Sequence, residues 1–372
     1  MIFNIFATAV SIWNKLLIIK MINSIQNKKI KTKIIENRLS AFKNLGKQIT
    51  VSLNNGEFDA VIKQQSIDNK WFTEKNCRFA LKAIALMLQK NDCEAFYHKY
   101  ESCFQKDRKA QKIAVISAGN VPCAAFHDFF CILISGNQFI GKLSSQDALL
   151  LPFLSKILVK IEPKFAEKIA FVEKLPKFDK IIATGSNNSA RYFEYYFKEY
   201  PMLLRKNRNS IAILAGNETE DDIRKLSIDV FQYFGLGCRS VSKLYVPKNY
   251  DFERLIKIFQ KETKSLLLHN GYVNNYEYHR AIYALNKVPF YDGDSFLLQQ
   301  NTALASPISV IYYEEYETIG EVLTQIEYSK NDIQCVVSND FTFENHVTFG
   351  ATQYPSLFDY PDNEDILLFC IS

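Results

Sequence analysis

Glycine is scarce in this chain, with 13 in 372 residues against 29 Phe and 20 Tyr. Where glycine survives in such a sequence, it marks a backbone that needs it. The 8 cysteines, at 77, 93, 103, 123, 131, 238, 335 and 370, form no CxxC pair and no His-Cys spacing. That argues against a disulfide framework and a zinc site, and for a reducing compartment, the cytoplasm, where a notable cysteine acts as a thiol. Neither sign of charge dominates. The 45 basic groups against 40 acidic ones leave a net +5, short of the field that nucleic acid or an anionic membrane surface calls for. No apolar run reaches the roughly 18 residues of a membrane span, because the opening MIFNIFATAVSIWNKLLIIK is broken by Asn14 and Lys15. A signal peptide fits poorly too: there is no basic leader, and Ala7-Thr8-Ala9 comes before an apolar core is complete. Residues 1–20 read as a mis-called start with Met21 the initiator, or as a loose amphipathic tail. Internal repeats are missing, and the five histidines and the pair Asp221-Asp222 have no metal spacing.

What is present is an ordinary globular composition, 48% hydrophobic and 23% charged, enough for a substantial core. From about 31 to 105 apolar residues recur at three and four, as in Asn76 to Leu88, which predicts a helical lead-in. After 110 short β-branched runs alternate with helical periods. Lys112–Ser117, Gln138–Lys142, Lys168–Val172 and Lys180–Thr184 read as strands, with helices at 124–135, 146–160 and 187–200. A second set follows at Ser210–Ala215, Val241–Pro247, Ser309–Tyr313 and Gln334–Ser338, with helices near 219–234, 251–264 and 317–329. Strands linked by crossover helices predict parallel sheets, here two α/β lobes joined near 205–209.

Three turns stand where strand ends collect ligands in open parallel sheets. Ser117-Ala118-Gly119-Asn120-Val121-Pro122 follows the first strand; Asn120 there is either a helix cap or an amide donor to a developing oxyanion. Ala183-Thr184-Gly185-Ser186 joins a strand to a helix start, whose unpaired amides suit an anion. Phe234-Gly235-Leu236-Gly237-Cys238-Arg239 sets two of the thirteen glycines just before one cysteine, so the thiol can be presented in a cleft or buried as a small hydrophobe. Arg239 favours the thiolate if its side chain folds back.

The order of these motifs resembles the aldehyde dehydrogenase superfamily, and within it the LuxC-like acyl-CoA reductases that supply fatty aldehyde in bacterial luminescence. The resemblance runs from about Lys112 onward. It implies that Asn120 in AGNVP is the oxyanion asparagine and Cys238 in GLGC the catalytic nucleophile. Lys142-Leu143-Ser144-Ser145 matches the motif at the cofactor's adenosine ribose, and Gly185-Ser186 the turn at the pyrophosphate. Residues Gln353 to Asp365 look like the acyl-CoA reductase branch. Ser145 stands where NAD-specific relatives carry Glu, so NADPH is preferred over NADH, which is still tolerated.

Two departures bear on the reaction. The Glu-Leu-Gly-Gly-Lys motif of hydrolytic relatives is matched to Ile213-Leu214-Ala215-Gly216-Asn217, which puts an isoleucine at the water-activating glutamate. The Glu-Glu-Ile-Phe-Gly-Pro stretch is matched to Thr302-Ala303-Leu304-Ala305-Ser306-Pro307, without the glutamate that holds the nicotinamide ribose. The resemblance therefore implies reduction of an acyl thioester, fatty acyl-CoA above all, to the aldehyde through an acyl-cysteine. The rivals are an acyl-phosphate reductase on the same fold and a non-catalytic acyl-thioester-binding homologue. A homo-oligomer, or a partner enzyme that supplies the acyl group, is compatible with either. The expected divisions are the tail 1–20, a helical lead-in with the nucleotide-binding domain 21–207, a catalytic domain 208–350 and a C-terminal segment 351–372.

Overall fold

The computed structural model of the chain describes residues 2–341 and 346–372, with side chains from Ile25 onward. Met1 lies outside the described residues, as do the side chains on which a choice between Met1 and Met21 would turn. The lead-in is helical: α1 (Ile2–Asn55), α2 (Asp59–Asp68), α3 (Glu74–Met87) and α4 (Lys90–Phe104). Helix α3 shows why. Thr73 caps it by accepting a hydrogen bond from the Asn76 amide, Glu74 sits in the first turn, and Ala80, Leu81, Ala83, Ile84 and Met87 form its buried stripe.

The first sheet contains β1 (Lys112–Ile116), β2 (Gln138–Lys142), β3 (Ile169–Phe171), β4 (Lys180–Thr184) and β5 (Met202–Arg205). Helices α5 (Phe126–Ile134), α6 (Leu150–Ile161) and α7 (Asn187–Tyr196) cross between its strands. Its order is β3-β2-β1-β4-β5, parallel throughout. The second lobe runs β6 (Asn209–Ile213), α8 (Glu220–Phe231), β7 (Val241–Pro247), α9 (Phe252–Thr263), α10 (Asn270–Leu285), β8 (Tyr291–Asp292), β9 (Leu297–Gln300), β10 (Val310–Tyr316), α11 (Ile319–Ser329), β11 (Ile333–Val337) and β12 (His346–Val347), and the chain ends in α12 (Ile366–Ile371). Its sheet has the order β12-β11-β6-β7-β10-β9-β8, with β8 antiparallel. Two parallel α/β lobes behind a helical lead-in are thus the architecture expected of the sequence. Among the described residues no helix is long and apolar enough to cross a membrane.

Strands buried on both faces read as continuous apolar runs. Ile113, Ala114 and Val115 of β1 and Ile181, Ile182 and Ala183 of β4 are sealed completely. Segment 357–371 does not stay with the second lobe: Leu357, Tyr360, Ile366, Leu367 and Cys370 enter the core that α1, α3, α4, α5 and α6 build on the first sheet. Asn137 donates to the Cys370 carbonyl at 2.7 Å, and Lys180 to the Phe369 carbonyl at 2.8 Å.

Candidate active site

A cavity of about 920 Å3 opens between the two sheets, at the carboxyl ends of β1, β4 and β5. Asn120, Cys238, Gly185 and Ser186 all line it. Lys142, Ser144 and Ser145 do not. They lie at the carboxyl end of the neighbouring β2, where Lys142 pairs with Ile116 of β1 and its carbonyl accepts from the Ser117 amide at 3.3 Å.

Cys238 follows an unusual turn. Tyr233 and Phe234 hold φ of +54° and +59°, and Gly235 follows at +75°. Side chains with a Cβ adopt that region only when packing enforces it, at a cost of about 1–3 kcal/mol each. Here Tyr233 packs edge-on to Phe79 of α3, while Phe234 contacts Trp71, His269 and Tyr272. Gln232 donates to Asn76 of α3 at 2.9 Å. The lead-in, which adds little to the sequence resemblance, therefore holds the cysteine turn in shape together with the start of α10.

The turn meets the Asn120 loop directly. Asn120 Nδ2 donates to the Leu236 carbonyl at 2.8 Å, which leaves its second amide hydrogen for another acceptor. A Cβ on Gly237 would come within 3.3 Å of Val121 Cγ1, so the absence of a side chain permits the approach. Behind Cys238, Ser210 donates to its carbonyl at 3.0 Å.

Cys238 is half-buried. Burial pushes its thiol up to about 11, against the opposing pull of Arg239 and Arg205. The Arg239 side chain is anchored by Nε to the Thr352 carbonyl at 2.5 Å and paired with Asp359 at 3.5 Å. Its charge alone does not make the resting thiol acidic, since burial outweighs it.

The match of Ile213 to a water-activating position does not hold. Ile213 and Leu214 are sealed in the second lobe's core, Ile213 beside Tyr245, Tyr316 and Val322, and neither lines the cavity. The chain that enters the cavity at the lobe junction is Arg205-Lys206-Asn207-Arg208-Asn209. The strand that leads into it, β5, has only four residues, MLLR, and escapes the sequence pattern. Arg205 makes a bidentate pair with Asp128 of α5 at 2.6 and 2.9 Å, both side chains about 5% exposed or less. Burial acts to lower the Arg205 pKa, Asp128 overrides it, and the guanidinium is held above its ordinary value. Arg205 Nε is buried without a partner.

The carboxylates of the cavity are nearly all committed. Asp128 pairs with Arg205, Asp359 with Arg239 and Asp362 with Arg208, leaving Asp332 exposed at the rim. His127 lines the wall, where burial lowers its pKa and its Nε2 donates to the Leu357 carbonyl at 3.0 Å. Ala303, Leu304 and Ala305 also reach the cavity. At the far side Ala80, Ala83, Ile84 and Met87 of α3, with Val121, Phe126 and Tyr233, make an apolar wall. Sequence reasoning missed these α3 residues because a buried helical stripe looks the same whether it faces core or cavity.

Residues of the first lobe fit a dinucleotide. Ser186 caps α7 by accepting from the Ser189 amide, and the Ala190 amide bonds the Ser186 carbonyl, which leaves the Asn187 and Asn188 amides for an anionic ligand. Asn187 lines the cavity, and Lys142 is exposed one strand away from β1.

No family model and no curated protein matches the chain. Solved structures do. Aldehyde dehydrogenase 21 from Physcomitrella patens, in complex with the reaction product succinate, aligns with a TM-score of 0.59 at 13% identity, over 82% of this chain and 74% of that one. An NAD+ complex of aldehyde dehydrogenase from Bacillus cereus gives 0.57 at 12%, over 82% and 71%. A double mutant of betaine aldehyde dehydrogenase from Staphylococcus aureus, with NAD+ and a BME-modified cysteine, gives 0.56 at 11%, over 83% and 77%. The fold is that of the aldehyde dehydrogenases.

Proposed function

We propose that the protein reduces an acyl thioester, fatty acyl-CoA in particular, to the aldehyde, with NADPH preferred over NADH. The observation that carries the reading is the single cavity in which Cys238, Asn120 and the first turn of α7 meet, where Asp128, Asp359 and Asp362 are each paired with an arginine. Lys142, Ser144, Gly185 and Ser186 would hold the nicotinamide cofactor, with Ser145 leaving room for a 2′-phosphate beside Lys142. When bound, that cofactor supplies a hydride to the acyl carbon.

The chain's own residues carry the rest. Cys238 loses its proton and its sulfur attacks the thioester carbonyl. A carbon–sulfur bond forms to Cys238, the bond to the CoA sulfur breaks, and CoA leaves with a proton, so one thioester is exchanged for another. The second Asn120 amide hydrogen and the Cys238 backbone N–H are the donors to the oxyanion, and removing one such donor costs about 2.7–4 kcal/mol of barrier. The oxyanion of the thiohemiacetal left by reduction collapses, its carbon–sulfur bond breaks, Cys238 leaves as thiolate and the aldehyde departs. The arginine-paired carboxylates matter here, because a free one would activate water and drain the acyl-enzyme to acid. The apolar wall of α3 suits the acyl chain.

The test is NADPH oxidation with a series of acyl-CoA lengths and with acyl phosphates, for the intact protein and Cys238→Ala. Turnover with acyl-CoA that Cys238→Ala abolishes is expected. Continued NADPH consumption by Cys238→Ala refutes the mechanism, and turnover of acyl phosphate alone transfers the activity to that substrate class.

A further inference from the structure

The turn that carries Ser144 and Ser145 is anchored from the lead-in side. Gln65, sealed on α2, donates to the Gln146 carbonyl at 3.0 Å and accepts from the Leu149 amide at 3.2 Å. Asn69 donates to the same Gln146 carbonyl at 3.2 Å. From this fixed turn Asp147, 2% exposed, reaches across to the loop that bears Asn120. Its Oδ2 accepts from the Ala124 amide at 3.2 Å, and the carboxylate also takes a hydrogen bond from the Cys123 amide. Cys123 stands at φ +59°, a conformation that outside contacts have to enforce.

A second contact joins the same two segments on the other side of Asn120. A Cβ on Gly119 would lie 2.4 Å from Ser144 Oγ and 2.9 Å from Gln146 Cβ, so the serine is packed directly on the glycine backbone. The loop of Asn120 is therefore gripped just before and just after the asparagine by one turn. A neutral side chain would hold a loop more cheaply: Asp147 Oδ1 is buried with no partner, and burial pushes the carboxyl up to about 7. What a carboxylate adds is a charge-assisted bond to two amides at once.

We propose that Asp147 is a positioning residue that locks the Ser144–Asp147 turn to the Gly119–Ala124 loop, so that a cofactor seated on the turn sets Asn120 for acyl transfer. The inference rests on the function proposed above, which assigns Ser144 to the cofactor and Asn120 to the oxyanion. It makes the two halves of the site communicate through one side chain.

The experiment follows acylation of Cys238 by octanoyl-CoA through the mass of the adduct against time, with and without NADP+, which has no hydride to discharge it. Binding of NADP+ is measured separately by calorimetry. In the intact protein NADP+ accelerates acylation by at least about fivefold, a modest value for two coupled sites. In Asp147→Ala the acceleration is lost while NADP+ still binds; Asp147→Asn, which keeps one acceptor for the amides, retains part of it. Should Asp147→Ala not fold, Gly119→Ala disturbs the same grip from the loop side and also loses the acceleration. The proposal is overturned if the intact protein acylates equally with and without bound NADP+, or if folded Asp147→Ala keeps the full acceleration. Absence of both Cys238 acylation and NADP+ binding in the intact protein defeats the proposed function instead, before Asp147 enters.

Discussion

Asp128→Ala isolates the charge at the lobe junction. Asp128 and Arg205 exchange two hydrogen bonds at 2.6 and 2.9 Å with side chains 3% and 5% exposed, and Arg205 Nε has no partner in reserve. Removing the carboxylate strands a buried guanidinium, which costs about 3–5 kcal/mol. Lys225 and Asp221 form a contrasting pair at 2.7 Å with side chains 50% and 65% exposed, and there water screens the charges and the loss is small. Distance alone would rank the two pairs as equals; burial separates them. Urea unfolding followed by circular dichroism reads the difference. At a slope of about 3 kcal/mol per molar, Asp128→Ala lowers the midpoint by about 1–1.7 M, while Asp221→Ala leaves it almost unmoved. Asp128→Leu combined with Arg205→Met removes both charges and recovers most of the loss. Equal shifts for the two single variants, or a double variant no better than Asp128→Ala, would refute the reasoning.

Other outcomes follow from the site. Asn120→Ala lowers kcat for the acyl-thioester reaction by about 10²–10³ with the fold intact by circular dichroism; a loss under about threefold removes Asn120 from the oxyanion. Because burial holds the Cys238 thiol at about 11, its alkylation by iodoacetamide in the cofactor-free protein rises about tenfold per pH unit from 7 to 10, tracking the thiolate fraction. A plateau below pH 8 contradicts that environment. Ala83→Phe fills the apolar wall on α3 and reduces kcat/KM for dodecanoyl-CoA by about tenfold or more while sparing acetyl-CoA, consistent with about 1–3 kcal/mol per displaced methylene contact; equal loss for both places the chain elsewhere.

The first sheet is legible because its strands are short apolar runs closed by turns: KIAVI, QFIGK and KIIAT coincide with β1, β2 and β4. β5 is not, since MLLR carries no β-branched residue and stands only five residues after the end of α7. Helix α10 is similarly silent, with only Tyr272 and Tyr276 buried in an Asn- and Tyr-rich stretch. The turns of Asn120, Gly185 and Cys238 can be found as local patterns at strand ends, and the structure brings them to one cavity. Their partners cannot be found that way. The bond from Asn120 to Leu236 and the ion pair of Asp128 with Arg205 join residues far apart in the chain. The misplacement of Ile213 has the same root: without β5 the lobe junction is hard to register, and the cavity-facing arginine passes for linker.

The return of residues 357–371 to the first lobe sets a timetable for synthesis. Phe42, Phe96, Phe129 and Phe130 are made early, yet the core that seals them also requires Leu357, Ile366 and Leu367. Between β5 and Leu357 the ribosome must add the whole second lobe, some 150 residues, which takes roughly 8–30 s at ordinary rates of synthesis. During that interval α5 has a bare flank, with Asn137 and Lys180 still lacking the carbonyls of Cys370 and Phe369. Nascent chains are then most exposed to chaperones and proteases on the lobe that was finished first. Residues at this flank that slow aggregation without touching the native contacts would raise the yield of folded protein and leave its stability unchanged.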